Sequence, residues 1–251
     1  MKDECVFSRP NVLIDVATHY CPGCQHGVIH RMVAECLESY DLVNKTIAVA
    51  PVGCAVFLYN YLDVDCVEAP HGRAPAVATG IRRARPEAFV LSYQGDGDLA
   101  SIGLAEIMHA ANRGEHMTVV FVNNTVYGMT GGQMAPTTMI GQKTTTCPGG
   151  RCAEREGGPM HMAEIISGLA GVAYSARVAV NTVANLAKAK KALRRAFETQ
   201  INGEGFGFVE FLATCPTNWK MTPVAANERI AKAMIPEYPL GVYKDVADTK
   251  E

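Results

Sequence analysis

Residues Gly95–Asn124 read GDGDLASIGLAEIMHAANRGEHMTVVFVNN, and this stretch decides the fold. A Gly-Asp-Gly turn leaves an apolar strand over Ala88–Tyr93. The spacing predicts a helix over Leu99–Asn112, with Ile102, Ala105, Ile107 and His109–Ala111 giving it a broad buried face and Gly114 its C-cap. A fully apolar strand, Met117–Val122, then closes at Asn123-Asn124, as in the middle of a parallel sheet. One βαβ unit thus sets a carboxylate and an amide oxygen side by side at the carboxyl edge of the sheet, where open α/β folds bind ligands. A carboxylate there calls for a cation, and a cation beside backbone N–H groups suits a diphosphate.

The same alternation extends outward. Strands are expected at Thr46–Val52, Val172–Val180 and Phe206–Leu212. Helices are expected at Ala74–Ala84, stopped by Pro86, at Met160–Leu169 and at Thr182–Glu198. In the last of these Val183, Leu186, Leu193 and Phe197 should face inward, and Lys188, Lys190, Lys191, Arg194 and Arg195 outward. A Gly/Thr/Pro-rich loop runs from Asn123 to about Pro159, a length that usually serves function. The pattern argues for one α/β domain over residues 1–251, a doubly wound parallel sheet. The polar segment from about 236 to 251 reads as a C-terminal arm onto a partner. A net charge of −2 excludes any electrostatic case for nucleic acid. No apolar run reaches membrane-spanning length and the start lacks a signal-peptide core, so a cytoplasmic protein is expected.

Asp96, Asn124 and the Val126 carbonyl would supply three oxygen ligands to Mg²⁺ or Ca²⁺, the diphosphate two and water one. The N–H groups opening the helix near Asp98–Leu99 would face the phosphate. Two rivals exist. Gly95-x-Gly97-x-x-Ala100 imitates a dinucleotide fingerprint, but the acidic residue that should close the next strand is replaced by Asn-Asn. A tight βα turn with Asp as helix cap would explain the turn alone, but not the paired asparagines and the TVYGMTGGQ that follows.

Nine cysteines in a reducing compartment argue for ligation over disulfides. Cys21 and Cys24 form a C-x-x-C, and Cys54 and Cys215 each follow a strand at the edge that carries Asp96. Four thiolates from three loops can hold a metal or a [4Fe–4S] cluster; a redox pair or zinc half-site is the alternative for the C-x-x-C alone. Cys5, Cys36 and Cys66 read as ordinary thiols, and Cys147 and Cys152 as free thiols in the long loop. His26 and His30 share a helix face without a third ligand, so His30 reads as a core histidine.

CPGCQHG (21–27), PVGCA (51–55), HGRAPAVATG (71–80), YQGDGDLASIG (93–103), VNNTVYGMTGGQMAPTT (122–138) and ATCPT (213–217) together resemble the β subunit of 2-oxoacid:ferredoxin oxidoreductases, over nearly the whole chain. The resemblance implies a thiamine-diphosphate-binding fold with Mg²⁺ on Asp96, Asn124 and the Val126 carbonyl. It implies a [4Fe–4S] cluster on Cys21, Cys24, Cys54 and Cys215. Cofactor contacts would come from Gly95, Asp96, Gly97 and Asp98, from Asn124, Thr125, Val126, Tyr127, Gly128 and Met129, and from His26 and Cys54. His71, Arg73 and Met129 are candidates near the substrate.

The implied reaction is oxidative decarboxylation of a 2-oxoacid, of the 2-oxoisovalerate (branched-chain) or 2-oxoglutarate type. Coenzyme A would take the acyl group and ferredoxin the electrons. The carboxylate that activates thiamine would come from an α subunit carrying the pyrimidine-binding domain, with γ and ferredoxin-like δ subunits beside it. Gln25 stands where the family pattern has glycine, a position suited to positive φ. A non-redox thiamine decarboxylase or carboligase, and a non-enzymatic Fe–S electron-transfer subunit, are the competing readings.

Overall fold

A computed structural model describes residues 8–249; Cys5 lies outside the described residues. The chain opens with α1 (His26–Ser39), β1 (Thr46–Ala50), β2 (Asp65–Glu68), α2 (Ala74–Ala84) and β3 (Phe89–Gly95). There follow α3 (Leu104–Asn112), β4 (Thr118–Asn123), a small hairpin of β5 (Val126–Tyr127) and β6 (Gln133–Met134), α4 (Ala153–Glu156) and α5 (Met162–Ser167). It closes with β7 (Val172–Ala179), α6 (Val183–Ile201), β8 (Phe206–Leu212), α7 (Pro216–Trp219), α8 (Pro223–Arg229), α9 (Ile235–Glu237) and β9 (Gly241–Asp245).

The main sheet has the order β2-β1-β3-β4-β8-β7-β9, and every pairing but β7–β9 is parallel. Both faces are covered, so alternate residues of one strand feed two cores. Leu91, Tyr93, Val120, Val122, Val209 and Phe211 pack with Ile29, Val33 and Leu37 of α1 and Leu193 and Phe197 of α6. Val90, Val119, Phe121 and Phe208 pack with Ala78 of α2, Ile107 of α3 and Ile166 of α5. That two-sided burial is why the strands read as continuous apolar runs. The sheet grows from β1 toward β2 on one side and toward β3 on the other. Such a switch point opens a crevice at the carboxyl ends of the two strands. Cys54 leaves β1 and Asp96 leaves β3 at that crevice.

Four expectations change. The helix expected over Leu99–Asn112 breaks. Asp98–Ile102 is a π turn, with Gly103 N donating to Asp98 O at 2.9 Å, and α3 starts at Leu104. The extra residue in the wider turn shifts the helix phase by about 100°. Ile107, Ala110 and Ala111 stay buried, while Ile102, Ala105 and His109 are exposed. In α6, Leu193 and Phe197 are buried, but Val183 is 89% exposed and Leu186 is also exposed. The first turn of α6 projects from the protein surface, and the buried face begins at Ala189, where small residues let the helix approach the sheet.

The third change is the arm. Gly241–Asp245 folds back as β9, antiparallel to β7, and Arg195 of α6 clasps Asp245 at 2.6 Å. The segment thus satisfies an edge of its own sheet rather than reaching outward. The fourth is Gln25, whose φ of −91° is ordinary; Gly23 carries the positive φ of 80°. The long loop is not loose either. Arg151 is buried and donates to the carbonyls of Ala135, Pro136, Thr138, Glu156, Gly157 and Gly158, stapling both ends of the loop together. No helix among the described residues is long and apolar enough to cross a membrane.

Candidate functional site

Asp96 lies in the crevice at 2% exposure. Gly97 N donates to its Oδ1 at 2.9 Å, and Thr137 Oγ1 and Asn124 N donate to its Oδ2 at 2.7 and 3.3 Å. Every one of these partners is neutral. Burial therefore dominates and pushes the carboxyl up to about 7, the hydrogen bonds pulling against it. A buried carboxylate without a cationic neighbour is a fitting ligand for a hard cation, which would restore its ionised form. Asn124 and Val126 line the same cleft. The Asn124 Oδ1 accepts from Val126 N at 3.2 Å, which fixes the amide with its oxygen toward the turn and leaves a second lone pair.

The cleft is lined by His26, Cys54, His71, Gly95–Asp98, Asn124 and Val126–Thr130, which brings together most of the residues singled out in the sequence. Gly97 is required by contact. A Cβ there would lie 2.3 Å from the Tyr127 ring, which closes over the turn. Asp98 is 3% exposed and acts on its neighbours. Its Oδ1 meets His71 Nδ1 and accepts Gly72 N at 2.8 Å, while its Oδ2 accepts Gln94 Nε2 at 2.5 Å. The carboxylate thus orients the His71 ring at the rim of the cleft. His26 opens α1 and hydrogen-bonds the Tyr93 hydroxyl through Nδ1 at 2.8 Å; burial pushes it down to about 3, so it is neutral. His30 is likewise buried and neutral, with Nε2 on the Tyr20 hydroxyl at 2.9 Å.

The four cysteines cluster beside this cleft. Cys21 is exposed, Cys24 and Cys54 are half-buried and Cys215 is buried; Cys54 feels the charges of Cys215, Cys24 and Cys21, Cys24 those of Cys215 and Cys21, and Cys215 that of Cys21. Burial first, and the neighbouring sulfurs next, push Cys54 up to about 12; burial does the same to Cys24, opposed by a backbone N–H. Four thiols gathered here fit a polynuclear cationic centre, which would stabilise their deprotonated form and neutralise its charge. No three His, Cys, Asp or Glu side chains among the described residues close on a single ion, as a zinc knuckle would require. Gly128 joins the two groups. A Cβ built on it would lie 3.0 Å from Cys54 Sγ and 3.6 Å from both Cys215 Sγ and Asn124 Nδ2.

Some residues fall elsewhere. Arg73 pairs with Glu106 on α3 instead of lining the cleft. Thr125 is fully buried with its hydroxyl accepting from Gln142 Nε2 at 2.9 Å, and it does not line the cleft. Met129 sits at the rim, 49% exposed. Cys36 is buried on α1, Cys66 lies on β2, and Cys147 and Cys152 are free thiols. Residues to which the sequence assigned no site role complete the site. Thr137 holds Asp96, and Asn218 Nδ2 bridges Gly128 O at 2.7 Å and Cys215 Sγ at 3.2 Å. Gln25 accepts Thr214 N at 3.1 Å and donates to Asn227 at 2.9 Å, fastening the C-x-x-C loop to the Cys215 loop. Only the APTT and CPTN contexts could have signalled the first two, as short polar runs beside a ligand.

Residues 51–211 match the family described as thiamine pyrophosphate enzyme, C-terminal TPP binding domain. The chain is 48% identical over 246 residues to ketoisovalerate oxidoreductase subunit VorA of Methanothermobacter marburgensis, covering 98% of this chain and 52% of the relative. It is 37% identical over 206 residues to 2-oxoglutarate synthase subunit KorB of Archaeoglobus fulgidus, covering 82% of this chain and 73% of the relative. The chain thus spans about half the length of the ketoisovalerate relatives. A solved structure of 2-oxoglutarate:ferredoxin oxidoreductase from Magnetococcus marinus, with 2-oxoglutarate, coenzyme A and succinyl-CoA bound, aligns with a TM-score of 0.75 and 27% identity over 96% of this chain and 85% of that one. The chain belongs to the family of thiamine-pyrophosphate-binding subunits of 2-oxoacid oxidoreductases.

Proposed function

We propose that this chain is the β subunit of a 2-oxoacid:ferredoxin oxidoreductase that converts a branched 2-oxoacid such as 2-oxoisovalerate, with coenzyme A, to acyl-CoA and CO₂. The single observation that carries the reading is Gly128, where a Cβ would meet Asn124 of the metal loop and two of the clustered cysteines at once. A non-redox decarboxylase has no use for that adjacency. When bound, thiamine diphosphate supplies the electron sink that releases CO₂, and an iron–sulfur cluster accepts electrons singly.

The chain's own residues do the holding. Asp96, Asn124 and the Val126 carbonyl take Mg²⁺, and Gly95–Asp98 with Asn124–Met129 cradle the diphosphate and ring. Cys21, Cys24, Cys54 and Cys215 hold the [4Fe–4S] cluster. His71, oriented by Asp98, faces the substrate with a hydrogen-bond donor or acceptor at the cleft rim. His26 packs neutral against the cofactor side of Tyr93. An α subunit supplies the activating carboxylate, γ and ferredoxin-like δ subunits complete the assembly, and a cytoplasmic ferredoxin takes the electrons. The branched substrate is favoured over 2-oxoglutarate because the ketoisovalerate relative is both more similar and matched over more of this chain.

The test is a substrate panel on the purified, anaerobically reconstituted complex, following coenzyme A-dependent reduction of ferredoxin. A kcat/KM at least tenfold higher for 2-oxoisovalerate than for 2-oxoglutarate or pyruvate supports the reading. Decarboxylation without reduction of ferredoxin overturns it.

A further inference from the structure

Thr125 is a β-branched residue held in the left-handed conformation, with φ 63°, between the two proposed metal ligands Asn124 and Val126. That geometry is an outlier for such a residue and disfavoured by about a factor of ten, so something must hold it. Asn123 Oδ1 accepts from Thr125 N at 3.2 Å, Thr138 Oγ1 donates to Thr125 O at 2.6 Å, and Gln142 Nε2 donates to Thr125 Oγ1 at 2.9 Å. Asn123 is itself anchored: its Nδ2 donates to Glu210 Oε1 on β8 at 2.8 Å. Glu210 is fully buried, accepts Ala163 N at 3.1 Å, and pairs with Arg177 Nε at 3.0 Å. Arg177, also fully buried, is gripped by Glu164 and by Pro239 O at 3.1 Å and Tyr243 Oη at 2.7 Å.

We infer that Asn123, backed by the buried Glu210–Arg177 pair, is a positioning residue that locks Thr125 in its left-handed turn and so presents Asn124 and the Val126 carbonyl to one cation. The inference rests on the metal site proposed above. Two neighbouring strands carry it: β8 lies beside β4 with Phe121 opposite Glu210, which sets the carboxylate within reach of Asn123 two residues on. The first asparagine of the pair is thus turned away from the ligand and into the sheet. The second alone faces the cleft.

Removing Glu210 or Arg177 would strand a buried charge and unfold the chain. The test therefore uses Asn123→Ala, Thr125→Gly and their combination in the assembled complex. Mg²⁺ affinity is measured by titration calorimetry at saturating thiamine diphosphate, with the melting temperature recorded in parallel. Asn123→Ala weakens Mg²⁺ about tenfold, the cost of the freed left-handed residue. Asn123→Ala/Thr125→Gly restores Mg²⁺ affinity to within about twofold, because glycine adopts that conformation without restraint. Its melting temperature stays lowered, since the lost hydrogen bonds do not return. Should Asn123→Ala fail to assemble, Gln142→Ala reads the same restraint with an expected loss of about fivefold. Unchanged Mg²⁺ affinity in Asn123→Ala, or a loss that Thr125→Gly does not restore, overturns the inference. Wild type that binds Mg²⁺ no better than Asp96→Ala overturns the metal site beneath it as well.

Discussion

A single methyl group at Gly128 should damage two cofactor sites together. The residue is not among those with positive φ, so alanine suits its backbone and any effect is steric. The new Cβ would stand 3.0 Å from Cys54 Sγ, while relaxed contacts between such atoms lie at about 3.5–4.0 Å. Cys54 must therefore retreat by at least about 0.5 Å. Its neighbours do not make room, because Cys215 Sγ and Asn124 Nδ2 already stand 3.6 Å from the same point. Overpacking of this kind costs about 1–3 kcal/mol, or roughly five- to hundredfold in an affinity. The assay measures iron and acid-labile sulfide alongside Mg²⁺ and thiamine diphosphate binding in one preparation of Gly128→Ala complex. Both iron content and Mg²⁺ affinity should fall. Gly80→Ala is the control, since nothing lies within 4 Å of its Cβ, and it should leave both unchanged. Full iron content with wild-type Mg²⁺ affinity in Gly128→Ala would refute the shared wall.

Three more outcomes are expected. His71→Ala lowers kcat/KM for the 2-oxoacid by about tenfold or more, whereas Arg73→Ala, which breaks only the pair with Glu106, changes it by less than about twofold; steady-state kinetics on the complex separates them. Arg151→Met removes the guanidinium that donates to six carbonyls, leaving Ala135 O and Pro136 O only their backbone donors, and releases the loop at 135–158, raising hydrogen exchange there by about tenfold or more while β3 and β4 stay protected. Burial would raise the Asp245 carboxyl, but the Arg195 guanidinium outweighs it and holds Asp245 below the usual carboxylate range. Its contribution to holding β9 is therefore complete above about pH 4 and is lost as pH falls through the depressed value; hydrogen exchange in 241–245 should rise on acidification in wild type and be high at every pH in Asp245→Asn, a loss of about 1 kcal/mol.

The parts legible in the sequence are those governed by local period and motif. Ala74–Ala84 and Phe206–Leu212 coincide with α2 and β8 because the helix is bounded by Pro86 and the strand is buried on both faces. The placement of Asp96, Asn124, Cys54 and Cys215 follows from strand ends, which the apolar runs mark, whereas Cys21 and Cys24 lie in the turn before α1. What escaped depends on contacts far along the chain. Arg151 looks like any loop arginine until the fold wraps six carbonyls around it. Glu210 breaks an otherwise apolar strand, yet its partners Asn123 and Arg177 lie 87 and 33 positions away in the numbering. Val183 and Leu186 fit the helical period of α6, but period alone does not reveal where the sheet beneath a helix ends. The π turn at Asp98–Ile102 begins at the buried Asp98, whose bonds to Gly72, His71 and Gln94 are contacts that helix propensity does not show.

Low-temperature electron paramagnetic resonance on the assembled complex, comparing wild type with Asp96→Ala, reads whether electrons pass from the thiamine site to the cluster. In wild type, 2-oxoisovalerate with coenzyme A should reduce a [4Fe–4S] cluster. Asp96→Ala should retain about four irons per chain and a dithionite-reducible signal, yet show no reduction by substrate. Substrate reduction in Asp96→Ala equal to wild type, or a wild-type β subunit without iron, would contradict that electron path.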